Sequence, residues 1–215
     1  MRTLKSLFAR VAPPAVTVGG LLIVWEIAVD AGHISQRVLA SPSQIAASIV
    51  KTWPDLWEAT AITTYEAITG FLIAAVAGVL IGIGLYVSKT LYRGIYPLLA
   101  AAQTIPLITI APLFMIWFEP LGKIVIVAVF GVFPVAVQTC RGMLAVPQFY
   151  EDVALTCGAT RAWALWHVKL RVAARQVFGG LRISAAYVFG TAVTAEYLGA
   201  MNGLGIWLQA AFNSF

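Results

Sequence analysis

IAAVAGVLIGIGLY, Ile73 to Tyr86, carries no charged side chain. Within residues 60–87 it belongs to a run long enough to cross a bilayer core as a helix, which takes about 20 residues. Four similar runs surround it, at roughly 13–32, 95–118, 122–140 and 177–199. Backbone polar groups in lipid must be satisfied within the segment or its bundle. The expected fold is therefore all-α, a polytopic transmembrane bundle of about five spans. Composition agrees. Of 215 residues, 60% are hydrophobic and 11% charged, against about 25% charged in a soluble domain. The expected organisation is a first span and outer amphipathic connector over 1–59, then a membrane core over 60–215.

The net charge of +5 sits between the apolar runs, which points to a lipid bilayer and not to nucleic acid. Lysine and arginine then set the direction. With the N-terminus in the cytoplasm, Arg2, Lys5, Arg10, Lys89, Arg93, Arg141, Arg161, Lys169, Arg171, Arg175 and Arg182 fall inside, and Arg37, Lys51 and Lys123 outside. Eleven against three is a strong positive-inside bias. The basic first ten residues resemble a signal-peptide n-region. No small-residue cleavage site follows, so the stretch is kept as a span. Cys140 and Cys157 both fall on the cytoplasmic side, where no structural disulfide is expected. The chain ends on Asn213-Ser214-Phe215 without a charged flank.

In the connector, Ile45, Ile49 and Trp53 at helical spacing predict a short interfacial helix, N-capped by Ser43 with Pro42 before it. In the second span, Gly78, Gly82 and Gly84 are small residues suited to close helix packing. The third span holds Pro97, Pro106 and Pro112, with Pro120 ending it, and each interior proline removes a backbone hydrogen bond. Gln103 and Thr104 precede Pro106, and Phe114, Trp117 and Phe118 follow. This span reads either as a lining of the substrate route or as a kinked packing helix with an aromatic belt. Glu26, Glu66 and Glu196 read as interfacial carboxylates or interhelical hydrogen-bond partners. Glu196, before the glycine-rich stretch Gly199 to Gly205, is the candidate for a polar contact at an outer gate.

The loop from Arg141 to Arg175 is long and patterned. Pro147 suits a first helical position. Phe149 and Val153 share a face, with Tyr150, Ala154 and Cys157 beside it. Gly158 offers a sharp turn and Thr160 a cap for a second helix, on which Trp163, Trp166 and Leu170 share a face. By pattern alone this is a knob docking into a partner or a helix pair lying on lipid.

The stretch Asp152-Val153-Ala154-Leu155-Thr156-Cys157-Gly158-Ala159-Thr160 resembles the EAA loop of binding-protein-dependent ABC importer permeases. Asp152 stands at the acidic position, Val153 and Ala154 at the alanines, and Gly158 at the glycine. The resemblance runs on through Trp163, Val168 and Leu170 to Gly179-Gly180-Leu181-Arg182-Ile183. It resumes at Ala195-Glu196-Tyr197-Leu198-Gly199-Ala200 and Gly203-Leu204-Gly205, and covers at least 60–215. Val153 departs from alanine, and Arg171 and Arg175 stand where the family often has prolines, which bears on how the second loop helix exits.

The resemblance implies a type I importer permease, with a sixth span expected after residue 215. It implies ATPase coupling through Asp152, Val153, Ala154, Gly158, Ala159, Thr160 and Trp163. It also implies a substrate pathway touching Gln103, Thr104, Pro106, Phe114, Trp117 and Glu196. Implied partners are cytoplasmic ATPase subunits that bind ATP-Mg, an external solute-binding protein and a second permease subunit, expected as a homodimer in a bacterial inner membrane. Gln103-Thr104-Ile105-Pro106, Ala111-Pro112-Leu113-Phe114, Trp117-Phe118 and the terminal Asn213-Ser214-Phe215 are similar to the nitrate, sulfonate and taurine branch. Within it they are similar to members linked to thiamine-pyrimidine precursors or riboflavin.

No Gly-x-x-x-x-Gly-Lys-Ser/Thr phosphate loop occurs, so no cofactor of its own and no ATPase activity are expected. An ion-gradient-driven transporter would explain the broken third span but not the patterned loop. A membrane enzyme has only His33 and His167 to draw on. They fall on opposite sides of the membrane, with no metal-ligand cluster around them.

Overall fold

The computed structural model of the chain describes residues 2–35 and 38–213. Outside it lie Met1, Gln36, Arg37, Ser214, Phe215 and the side chains of residues 2–11. With them go Arg2, Lys5, Arg10 and Arg37 of the charge pattern and the end of the Asn213-Ser214-Phe215 tail. Among the described residues every regular element is helical. Residues up to Trp57 form one compact unit and Glu58 onward a second.

The first unit contains α1 (Arg2–Ala31) and α2 (Pro42–Lys51). The cap of α2 is Ser41 and not Ser43: Pro42 takes the first helical position, where its missing N–H costs nothing. The Ser41 N–H donates to Gln44 Oε1 at 3.1 Å. Ser43 instead serves Glu26, donating through Oγ at 2.6 Å and through its N–H at 3.0 Å. The Glu26 carboxylate is thus an interhelical hydrogen-bond acceptor.

Most of α3 (Trp53–Val87) lies in the second unit, followed by α4 (Lys89–Ala102), α5 (Leu107–Trp117) and α6 (Gly122–Leu144). The third span is not one kinked helix. It breaks into α4 and α5, bent by 104°. Pro106 offers no N–H to continue α4, and Thr104 Oγ1 donates to the Ala101 carbonyl at 2.7 Å, closing the turn. Among the described residues, four helices, Ala12–Ala31 within α1, α3, α6 and Ala174–Gly199, are long and apolar enough to cross a membrane, and the bent pair counts as a fifth when taken as one broken span.

Helix α6 is the centre of this unit. A Cβ added to Gly70, Gly78 or Gly82 of α3 would lie 2.6 Å from Val127, Val135 or Thr139 of α6. The numbers rise together, so the two helices run parallel at backbone contact. Lipid gives apolar helices no reason to associate, so close van der Waals contact of this kind supplies the attraction. Gly84 departs from the set, with nothing within 4 Å of its Cβ position. Packed against both α6 and α3 is α10 (Ala174–Gly199), antiparallel to α6. Gly142 meets Gln176, Gly180 meets Gln138, and Gly131 meets Ser184. Ala111, Ile126 and Ala195 add α5 to the same core.

Between α6 and α10 lie α7 (Gln148–Thr156), α8 (Arg161–Ala164), a π-helical turn (Leu165–Lys169) and α9 (Leu170–Val172). Pro147 sits just outside α7, as its cap, and not at a first helical position. After α10, Gly203 turns the chain at φ +109° into α11 (Leu204–Asn213).

Candidate functional site

Helix α7 ends at a left-handed Gly158, φ +86°, a conformation that costs other residues about 1–2 kcal/mol. The chain then reverses, and Thr160 caps α8 by accepting from the Trp163 N–H at 3.2 Å. The two arms enclose an open apolar groove of about 790 Å³. Val153, Ala154, Gly158, Ala159, Thr160 and Trp163 line it, with Phe149 at one end. Asp152 stands apart on the exposed flank, where its carbonyl accepts from Thr156 Oγ1 at 2.8 Å. Phe149 is 69% exposed and Trp163 49%, an apolar surface of the kind that marks a binding face.

Trp163 and Trp166 do not share a face. A π-helical turn fits one more residue per turn than α-helical spacing allows. Trp163 faces the groove and stacks on His167, ring centroids 4.6 Å apart. Trp166 joins Val79, Leu170 and Phe178 along the spans. Arg171 and Arg175 follow this π-turn, and no proline bends the chain there.

Behind the groove, Lys169 ties the loop to the membrane helices. Its ammonium pairs with Glu151 Oε2 of α7 at 2.5 Å and donates to Tyr86 Oη in the last turn of α3. It also lies 4.7 Å from the Tyr86 ring centroid. Burial favours the neutral amine, but the hydrogen bonds to Glu151 and Tyr86 outweigh it and hold the Lys169 pKa above its ordinary value.

A second charged cluster sits at the opposite end of the bundle. Lys123, in the first turn of α6, is 6% exposed. Its ammonium lies 2.7 Å from Glu66 Oε2 and 3.7 Å from Glu196 Oε1. It also donates to Asn202 Oδ1 at 2.7 Å and to the Asn202 carbonyl at 3.2 Å. Glu196, with no exposed surface, accepts from Thr63 Oγ1 at 2.8 Å and from the Gly205 N–H at 2.8 Å. The Leu204 N–H donates to Thr63 Oγ1 at 2.9 Å. The glycines explain the turn: a Cβ at Gly203 would stand 2.1 Å from Glu196 Oε1, and one at Gly205 2.4 Å from the Val193 carbonyl.

The six candidate pathway residues do not converge. Gln103 opens onto a cleft of about 270 Å³ with Gln138 and Arg141, where Arg141 Nε donates to Tyr96 Oη at 2.6 Å. Thr104 and Pro106 lie at the α4–α5 break. Phe114 packs on Phe118 at 5.5 Å between centroids, Trp117 is 66% exposed, and Glu196 belongs to the enclosed cluster. Sequence reasoning missed Glu66–Lys123 and Glu151–Lys169–Tyr86 as pairings. The one available signal for Lys169 was a lysine bracketed by apolar Val168 and Leu170.

Residues 70–215 match the family model described as binding-protein-dependent transport system inner membrane component. The formylaminopyrimidine transport permease protein of Halalkalibacterium halodurans is 30% identical over 199 residues, covering 91% of this chain and 79% of that protein. The taurine transport system permease protein of Escherichia coli is 29% identical over 204 residues, covering 91% and 74%. A chain of the inward-facing MetNI methionine ABC transporter shares the fold, with a TM-score of 0.58 over 75% of this chain and 84% of that one, at 22% identity.

Proposed function

The chain belongs to the binding-protein-dependent transport system inner membrane components, as a multi-pass ABC importer permease, and on that premise we propose that its α7–α8 loop couples it to a separate ATPase. It is a transport subunit and not an enzyme. The observation that carries the coupling role is the groove around Gly158. Val153, Ala154, Ala159, Thr160 and Trp163 form one open apolar face, and Lys169 fastens the loop to α3 behind it. An ATPase subunit holding ATP-Mg grips this face, and its closure moves α3. Asp152, exposed beside the groove, offers the partner a charge.

Gly158 has nothing within 4 Å of its Cβ position, so a side chain there enters the open groove, while its left-handed backbone strains most residues other than glycine. Asparagine tolerates the left-handed conformation and serves as the control. Purified from detergent, wild type and Gly158→Asn retain the ATPase, and Gly158→Trp loses it while remaining folded. A Gly158→Trp chain that retains a fully coupled ATPase would refute the role. Uptake by the chain without any ATPase would instead establish gradient-driven transport.

The substrate reading is a small organic molecule, an aromatic heterocycle such as a thiamine pyrimidine precursor or riboflavin ahead of nitrate, sulfonate or taurine. A solute-binding protein delivers it to a pathway shared with a second copy of the chain. The relative named for formylaminopyrimidine and the exposed carboxamide of Gln103 at the broken span support this reading. Uptake assays with labelled pyrimidine and taurine decide between the classes, and Gln103→Ala lowers the preference. For orientation, the N-terminus and the α7–α8 loop lie in the cytoplasm. Cys157 is exposed and Cys140 buried, so a membrane-impermeant maleimide labels Cys157 only in inverted vesicles. Labelling in right-side-out vesicles reverses the topology.

A further inference from the structure

Where α3 ends at Val87 and α6 at Leu144, a cleft of about 820 Å³ opens between the α3–α4 turn and the α7–α8 loop. Four cations line it, Lys89, Arg93, Arg161 and Lys169, against one carboxylate, Glu151. Glu151 is already paired with Lys169 at 2.5 Å. Lys89, Arg93 and Arg161 therefore have no carboxylate partner among the described residues. The same cleft has an apolar floor, in which Val87 is 63% exposed and Leu144 51%. Both floor residues close membrane-spanning helices, so the cleft lies at the level where hydrocarbon gives way to headgroups.

A soluble anion would use the cations and leave the floor bare. A zwitterionic lipid would use the floor and bring no net charge. We propose that this cleft binds an anionic glycerophospholipid, its phosphate held by Lys89, Arg93 and Arg161 and its proximal acyl carbons laid on Val87 and Leu144. Basic pockets between membrane helices recognise acidic headgroups in this way. The lipid then sits against the Glu151–Lys169 pair and wedges the loop at its hinge to the spans. This assignment holds whether or not the groove around Gly158 grips an ATPase.

The test uses the permease with its ATPase, purified in detergent and followed by native mass spectrometry. It is titrated with phosphatidylglycerol or phosphatidylcholine of the same acyl chains, with and without excess inorganic phosphate. Phosphatidylglycerol is retained in preference, and phosphate does not displace it. Lys89→Gln with Arg93→Gln weakens the binding about thirtyfold, the effect of two cations lost near the membrane surface. Lys89→Arg with Arg93→Lys keeps both charges and the preference. Equal retention of the two lipids, unchanged binding in the double glutamine variant, or loss of the preference in a folded charge-conserving variant each overturns the proposal. Displacement by phosphate also overturns it, assigning the cleft to a free anion.

Discussion

Helix α3 meets a lysine knot at Glu66 and another at Tyr86, and the two differ in how they are enclosed. Glu66 and Tyr86 lie about 30 Å apart along the helix at 1.5 Å per residue, the thickness of a bilayer's hydrocarbon core. At the Glu66 end, Lys123 draws partners from α3, α10 and the 199–205 turn, and Glu196 is wholly buried. At the Tyr86 end, Lys169 has one carboxylate partner, and the Glu151 side chain is 27% exposed. A charge cluster with a wholly buried carboxylate cannot lose its cation without leaving that charge uncompensated. Lys169 is itself 5% exposed, but water reaches its carboxylate, and a partner that water reaches is exchanged at smaller cost. The difference makes the Lys123 end the fixed end of α3 and the Lys169 end the one that can move with the loop.

The largest expected effect comes from breaking the sealed end. Lys123→Met leaves Glu196, which has no exposed surface, and Glu66, whose side chain is 14% exposed, without their cation, and stability falls by about 3–5 kcal/mol. Thermal unfolding of the detergent-purified chain measures this, and adding Glu66→Gln recovers part of the loss. A Lys123→Met chain that unfolds with the wild type would mean that water already fills the cluster, and the two ends would then be alike.

The same end can be attacked through its turn. Gly203→Ala places a Cβ 2.1 Å from Glu196 Oε1 at a backbone φ of +109°. The conformational part alone costs about 1–3 kcal/mol. Gly84→Ala, inside α3 with open space around it, is the control and holds or slightly raises the unfolding temperature, as losing a helical glycine does.

These contrasts also mark what the sequence could and could not convey. The spans were legible because each is a long apolar run, and the α7–α8 groove because its residues are close together in the chain. Phe149, Val153 and Ala154 need only helical spacing to meet, and Gly158 and Thr160 carry their own turn chemistry. The knots were illegible because Glu66, Lys123 and Glu196 belong to three different spans, and a charge sign reports only a side of the membrane. Pro106 announced a disturbance, but a proline fixes neither a clean break nor its 104° angle. Trp163 and Trp166 were put on one face by α-helical spacing, and the π-turn at Leu165–Lys169 undid it. Ser41 and Ser43 flank Pro42 symmetrically. The cap went to Ser41 because proline fills the position after it, leaving Ser43 free for Glu26.

At the movable end the expected effects are smaller in stability and larger in function. Lys169→Gln loses two charge-assisted hydrogen bonds, to Glu151 and Tyr86, worth about 3 kcal/mol together, the lower end of the loss at Lys123. Transport per ATP hydrolysed falls several-fold, because loop motion no longer reaches α3. Measured in proteoliposomes, a variant that keeps its coupling ratio would show that the tie is only structural.

The smallest effect separates the two ends by pH. Hydrogen bonds to Glu151 and Tyr86 raise the Lys169 pKa in the folded chain. A raised pKa means the folded state holds its proton more tightly than the unfolded chain does. The stabilisation is therefore complete below the ordinary lysine value of about 10.4 and is lost only as pH rises through the higher folded value. Between about pH 7 and 9, below the ordinary lysine value, Lys169 keeps its charge, so the coupling ratio of the wild type is flat across that interval. The Lys169→Gln profile runs parallel to it at a lower level. A wild-type ratio that declines within the interval, with a flat Lys169→Gln profile, would show an ammonium that Glu151 and Tyr86 fail to hold. The loop would then be joined to α3 by packing among Ile83, Met143, Val146 and Ala173 instead of by charge.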